Sequence, residues 1–145
     1  MARVSTYLNL PRTTEAAFQT YRAIFQTEFS APIARFRDMP PNPGQPPLAE
    51  ADKDLVMHIE LPILGGHVLM GTDAPESMGF SVTRGNNVYI NLEPDTRAET
   101  DRLFNALARD GKVEMPLQEM FWGGYFGSLI DRFGIQWMFN CPNKT

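Results

Sequence analysis

The residues "YLNL" at positions 7–10 return as "YINL" at positions 89–92, and each copy leads through a proline into a Thr- and Glu-containing segment with helical spacing. A chain that repeats itself at an offset of 82 (89 − 7) is built from two similar units, each carrying one supersecondary motif. After the first copy, Phe18, Tyr21, Ile24 and Phe25 recur at helical intervals behind Thr13 or Thr14 as N-cap. After the second, Asp95 or Thr96 is the cap, Leu103, Phe104 and Leu107 form the apolar stripe, and Gly111 is the stop. Strand signals follow each helix: "APIARFRDM", "DLVMHIELPI" and "HVLMGTD" in the first unit, the last two turning at Gly65-Gly66. The second unit has "KVEMPL", a Gly- and aromatic-rich stretch, and "IQWMFN" after Gly134. Each unit spells strand-helix-strand-strand-strand, an α+β pattern with boundaries at about residues 1–73 and 80–141 of one domain spanning 1–145. The units join at "TDAPESMGFSVTRG". The stretch "MPPNPGQPPLAEAD" reads either as a lid over the first unit or as an extended connector, its "PPNPGQPP" portion an exposed loop.

Two such units predict a curled mixed sheet, a cup with its helices outside, and strand alternation then assigns the faces. Leu8 and Leu10 pack on the first helix, leaving Ser5, Tyr7 and Asn9 inside. By the same parity Val88, Ile90 and Leu92 pack on the second helix, with Asn87, Tyr89 and Asn91 inside. In the third strand Leu55, Met57, Ile59, Leu61 and Ile63 form the apolar set, which brings His58 and Glu60 together on the inner face.

Charge narrows the partners. The net charge is −4 and the 13 Lys and Arg residues are scattered, so no basic groove for nucleic acid is expected. No apolar run approaches the roughly 18 residues of a membrane span, and the N-terminus lacks an apolar signal region. A single Cys141 forms no intramolecular disulfide, which with the absent signal predicts a cytoplasmic protein.

The motifs "YLNLPRTTEAAFQTY", "HIELPILGGHVLMGTDAPES" and "MFWGGYFGSLIDRFGIQWMFN" resemble the PhnB-like branch of the vicinal oxygen chelate, or glyoxalase, superfamily. Members of this branch often carry a 3-demethylubiquinone-9 3-methyltransferase label; bleomycin resistance proteins and dioxygenases share the superfamily. The resemblance implies the glyoxalase fold, a small-molecule pocket and a homodimer. It also implies that metal-dependent members would place ligands on the first and fourth strands of each unit. Those positions correspond here to Ser5, Asn87, Met70 and Met138, with Gln136, His67 or Glu60 entering if the register slips. Ser, Asn and Met do not suit a hard or borderline divalent ion, so no metal or other cofactor is expected, a divalent metal ion being the alternative. Methyl transfer on a doubly wound sheet needs a Gly-rich turn after the first strand, and "LPRTTEAA" has none.

The expected function is therefore binding of a small hydrophobic or aromatic molecule in the cup, the alternative being a metal-dependent lyase, isomerase or dioxygenase. His58 and Glu60 are candidates for an acid-base pair or for a solvated pair at the rim. Tyr7, Asn9, Asn87, Tyr89, Asn91 and Gln136 are candidate pocket polar groups, or satisfy backbone where the repeats meet. Met70 and Met138 offer an adaptable apolar lining. Trp122 and Tyr125 close over a flat ligand, or belong to a subunit interface. Asp131 is expected to shape the turn into the last strand.

Overall fold

The computed structural model describes residues 1–40, 43–44 and 47–145. Contacts divide it into two compact units, Met1–Thr83 and Arg84–Thr145. The first contains β1 (Thr6–Asn9), α1 (Thr14–Phe25), β2 (Ala34–Arg35), β3 (Val56–Pro62) and β4 (Val68–Thr72). The second contains β5 (Ile90–Leu92), α2 (Arg97–Ala108), β6 (Lys112–Glu119), β7 (Tyr125–Ile130) and β8 (Gln136–Cys141). Sheet orders are β1-β4-β3-β2 and β5-β8-β7-β6, with β1 parallel to β4, β5 parallel to β8 and the other pairs antiparallel. This is an α+β fold of two mixed four-stranded sheets with one helix to each unit. Among the described residues no helix is long and apolar enough to cross a membrane. Pro41, Asn42, Gln45 and Pro46, on which the loop and lid readings rest, lie outside the described residues.

Each helix is held by the apolar stripe its sequence predicts. In α1, Ala17, Phe18, Tyr21 and Ile24 are buried, and in α2, Leu103, Phe104 and Leu107 are. Burying a side chain of this size contributes roughly 2 kcal/mol. Gly71 on β4 marks the closest approach of α1: a β-carbon there would meet the Phe18 ring at 2.8 Å and the Thr14 methyl at 3.1 Å. Gly127 on β7 does the same beside Phe104, at 3.0 Å.

The repeat is real, but its register differs from the one the matching letters suggest. The β3-β4 turn closes with Ile63 N donating to His67 O at 2.7 Å, and the β7-β8 turn with Asp131 N donating to Ile135 O at 2.8 Å. These pairs stand 68 apart (131 − 63), as do the ladder pairs Leu61 with Leu69 and Leu129 with Trp137. Leu8 pairs with Gly71 and Leu92 with Phe139, so β1 and β5 correspond at an offset of 84 (92 − 8). Tyr7 is therefore the counterpart of Asn91, not of Tyr89. A two-residue displacement preserves strand parity, and for that reason the face assignments of β1 survive it.

Three local expectations give way. "APIARFRDM" keeps only two strand residues, because Asp38 Oδ2 accepts the Arg35 amide at 3.0 Å and closes a 3-10 turn over Phe36–Asp38. Met57 is not on the buried face. Ala34 pairs with His58 and Arg35 with Val56, which makes Met57 the extra residue of a bulge and turns Val56 inward with Ile59, Leu61 and Ile63. Val88 lies ahead of β5 and is 71% exposed, so it does not pack on α2. Thr96 caps α2 by accepting the Glu99 amide, whereas Gly111 follows a left-handed Asp110 and is required because a β-carbon there would strike the Ile130 carbonyl.

Candidate functional site

Each sheet turns one face to its helix; the other is partly exposed at Tyr7 and Asn9 in the first unit and at Asn91 in the second, where Ser128 and Gln136 on the same face are buried. Leu8 and Leu10 are buried toward α1, so Tyr7 and Asn9 take the open face, Tyr7 half exposed and Asn9 exposed at the strand end. Ladder partners share a face, so Tyr7 on β1, Met70 on β4 and Glu60 on β3 form a row across the first sheet. Ser5 lies just before β1, its Oγ 3.8 Å from the Met70 sulfur.

His58 completes the row. Its Nε2 is 2.9 Å from Glu60 Oε1 and its Nδ1 3.4 Å from the Tyr7 hydroxyl, with the two ring centroids 5.8 Å apart. Glu60 Oε2 accepts from Ser30 Oγ at 3.1 Å. An ionised carboxylate can only accept, so the proton of the His58–Glu60 contact belongs to Nε2, which in a ring carrying a single proton leaves Nδ1 as the acceptor for Tyr7. Hydrogen bonds from His58 and then Ser30 hold the Glu60 carboxyl below the usual carboxylate range. Partial burial holds the Tyr7 phenol above its ordinary value. The result is a hydrogen-bonded chain from phenol through imidazole to carboxylate, a geometry able to pass a proton.

A depressed folded-state value means that the Glu60 interaction stabilises above the ordinary carboxyl pKa and is lost as pH falls through the lower folded one. In a carboxyl-carbon NMR titration Glu60 should titrate below the usual carboxylate range, and H58A should raise its midpoint. An unchanged Glu60 midpoint in H58A would contradict the assignment.

In the second sheet the corresponding row is Asn91, Met138 and Ser128. The 68-residue offset puts Ser128 where Glu60 stands and Phe126 where His58 stands, so the titratable pair of the first unit is replaced by a hydroxyl and a ring. Trp122, on the β6-β7 turn, packs edge-on against Phe126 at 5.9 Å and against Phe121 at 5.2 Å. Phe121 is 97% exposed and Trp122 51%. Gln136 lies on the same face but is buried, its Nε2 donating to the Val88 carbonyl at 2.7 Å.

The remaining expected residues divide. Asn87 and Tyr89 precede β5 instead of lying on it, and the Tyr89 hydroxyl donates to Glu114 at 2.7 Å, the bulged residue of β6. Tyr125 does not close over the open face. It pairs with Cys141 on the helix side, its hydroxyl donates to Asp101 of α2 at 2.7 Å, and the Arg97 guanidinium lies 5.1 Å from its ring centroid. Its parity with Gly127 and Leu129 was the signal for this. Arg97 is a residue that sequence reasoning missed. From the first turn of α2 it bonds both Glu119 oxygens and donates to the Cys141 and Gly123 carbonyls, clamping the base of the aromatic turn.

The positions at which the resemblance implies metal ligands carry a hydroxyl, an amide and two thioethers, a donor set that does not fit a hard or borderline divalent ion. The alternatives are engaged: His67 Nε2 lies 2.9 Å from Thr6 Oγ1, Gln136 bonds Val88 and Glu60 bonds His58. Among the described residues no three His, Cys, Asp or Glu side chains gather as a metal site.

No protein-family model matches the chain. It is 31% identical over 93 residues to protein YjdN of Escherichia coli (strain K12), the alignment covering 61% of this chain and 58% of YjdN, so the match spans less than two thirds of that relative. Among solved structures, protein PA1353 from Pseudomonas aeruginosa is 33% identical, with 97% of this chain and 98% of that one covered and a TM-score of 0.81. The PhnB protein from Bacillus cereus is 26% identical over 97% and 99% of the two chains, with a TM-score of 0.67. A glyoxalase/bleomycin resistance protein/dioxygenase family enzyme from Burkholderia phytofirmans PsJN, 17% identical over 95% and 98%, shares the fold at a TM-score of 0.60.

Proposed function

We propose, from its likeness to protein PA1353 and to the PhnB protein over nearly the whole chain, that the chain belongs to the PhnB-like branch of the vicinal oxygen chelate superfamily and binds a small hydrophobic or aromatic molecule on the sheet faces away from its helices, without a divalent metal ion. The observation that carries this reading is the pair of matched rows. Both have methionine at the centre; one is flanked by Tyr7, His58 and Glu60, the other by Asn91, Phe126 and Ser128. Soft, adaptable thioethers beside rings and a few polar groups suit an apolar ligand held by one or two hydrogen bonds. A second reading, acid-base catalysis on that ligand, is favoured by one observation, the Tyr7–His58–Glu60 chain. Methyl transfer has no support in two βαβββ sheets that lack a doubly wound order. We place the protein in the cytoplasm as a homodimer.

Two measurements test this. Protein purified without chelator should contain no stoichiometric metal and show no rise in melting temperature with Ni, Co, Mn, Zn or Fe(II). A bound, stabilising ion would overturn the metal-free reading. Trp137 is fully buried and Trp122 half exposed, so fluorescence quenching by substituted naphthalenes should come from Trp122 and disappear in W122F. Quenching that survives in W122F, or none in the native protein, would count against the open face of the second sheet as the binding surface.

A further inference from the structure

The side-chain protons of the first row are all committed within it. With the imidazole singly protonated, the Tyr7 hydroxyl donates to His58 Nδ1 and His58 Nε2 to Glu60 Oε1, while Ser30 Oγ donates to Glu60 Oε2 and Ser5 Oγ to the Met70 sulfur. What these groups still present is acceptor capacity: the lone pairs of the Tyr7 and Ser5 oxygens and those left on the Glu60 carboxylate. The row also carries negative charge, because Glu60 is ionised; Arg3 acts on that carboxylate too, but as the weakest of the influences upon it. Asn9, which both donates and accepts, stands two residues along β1, outside the row. Solvent reaches the row with no movement of the chain, since Tyr7 is 50% exposed and the side chains of His58 and Glu60 are 35% and 24% exposed. Met70 and Pro62, half-buried on the same face by the alternation of β3 and β4, lay an apolar bed beside it.

We propose that the Tyr7–His58–Glu60 row recognises the primary ammonium group of a ring-bearing amine. A primary ammonium has three N–H donors and no acceptor, the complement of a surface with acceptors and no free proton. One N–H donates to the Tyr7 oxygen, the Glu60 carboxylate supplies the opposing charge across the imidazole, and the ring of the ligand lies on Met70 and Pro62. The Tyr7 ring adds attraction for a cation at its face. An ether or a carboxylate brings acceptors to acceptors, and a hydrocarbon gains only the apolar bed. The second row cannot make the same choice: Asn91 both donates and accepts, Ser128 stands where Glu60 does and Phe126 where His58 does. The matched rows therefore differ in the ligand group they take, and the amine belongs to the first unit.

This inference rests on the aromatic-binding reading of the open face, and the test separates the two. In a protein labelled at its two histidine rings, benzylamine, benzyl methyl ether and toluene are titrated at neutral pH while the imidazole NMR signals and Trp122 fluorescence are followed. The His58 signals should move with benzylamine. Those of His67 should stay in place as the internal report that the fold is intact, since its Nε2 lies 2.9 Å from Thr6 on the helix-facing side of β1. Benzylamine should bind at least about fivefold more tightly than the other two, the scale of a charge-assisted hydrogen bond at a half-exposed site. Added salt should shrink that preference, because the opposing charge of Glu60 is screened. Y7F and E60Q should each reduce it while leaving toluene affinity within about twofold, since neither removes the apolar bed. Equal affinities for the three probes, or a preference that survives both variants, would overturn the amine site and leave aromatic binding standing. Failure of all three to move His58, with Trp122 still quenched by toluene, would do the same. Failure of all three at both reporters would overturn both readings.

Discussion

D131A should lower unfolding free energy by about 4 kcal/mol. Asp131 is 5% exposed and sits at the β7-β8 turn. Its Oδ1 accepts from the Phe133 amide at 2.9 Å and the Ile135 amide at 3.0 Å, while Oδ2 accepts from Trp137 Nε1 at 2.9 Å. The indole is fully buried, so removal of the carboxylate strands a donor that water cannot reach, and two turn amides lose their acceptor with it. D131N retains one accepting oxygen but turns an NH₂ toward donors, so it should recover less than half of the loss. Urea denaturation read by Trp137 fluorescence measures both. A melting decrease of roughly 10–15 °C accompanies the expected change in a chain of this size. A loss below about 1 kcal/mol would mean that the turn is held by its backbone alone.

D73A should cost about 3 kcal/mol, and for a different reason. Thr13 precedes α1 but makes no side-chain cap bond. The cap comes from across the unit: Asp73 Oδ1 accepts the Thr14 amide at 3.0 Å, and Oδ2 accepts the Val56 amide at 2.7 Å. One 3%-exposed carboxylate thus fastens the start of the helix to the start of β3, just beyond the end of β4. An N-cap is worth about 1 kcal/mol and a stranded buried amide about 1–3 kcal/mol more. T96A, which removes the local cap of α2, is the control and should cost only about 1 kcal/mol. If D73A proved no worse than T96A, the long-range cap would carry nothing beyond a local one. The 68-residue offset puts Cys141 where Asp73 stands, so the second unit manages without this carboxylate.

Much of the architecture could be read in advance because it rests on local signals. Helical spacing found both helices, two glycines found the β3-β4 turn, and parity put Tyr7, His58 and Glu60 on one open face. Where expectation failed, an extra residue or a distant partner was responsible. The bulge at Met57 reversed the parity of everything before it on β3. Tyr125 was counted with its neighbour Trp122 although strand alternation sends the two to different sides.

Other site features had no local signature at all. Asp73 meets Thr14 across 59 residues, Arg97 meets Cys141 across 44, and the contact of Tyr7 with His58 depends on how β1 and β3 each register on β4. The sequence by itself determined the two-unit plan, the helices and which residue types stand on the open faces, because periods of 3.6 and 2 are properties of the chain. Only the tertiary structure decided the true repeat offset, the cap supplied by Asp73 and the contact of Tyr7 with His58. Each of these depends on strand register, and register is set by pairing between residues far apart in the chain.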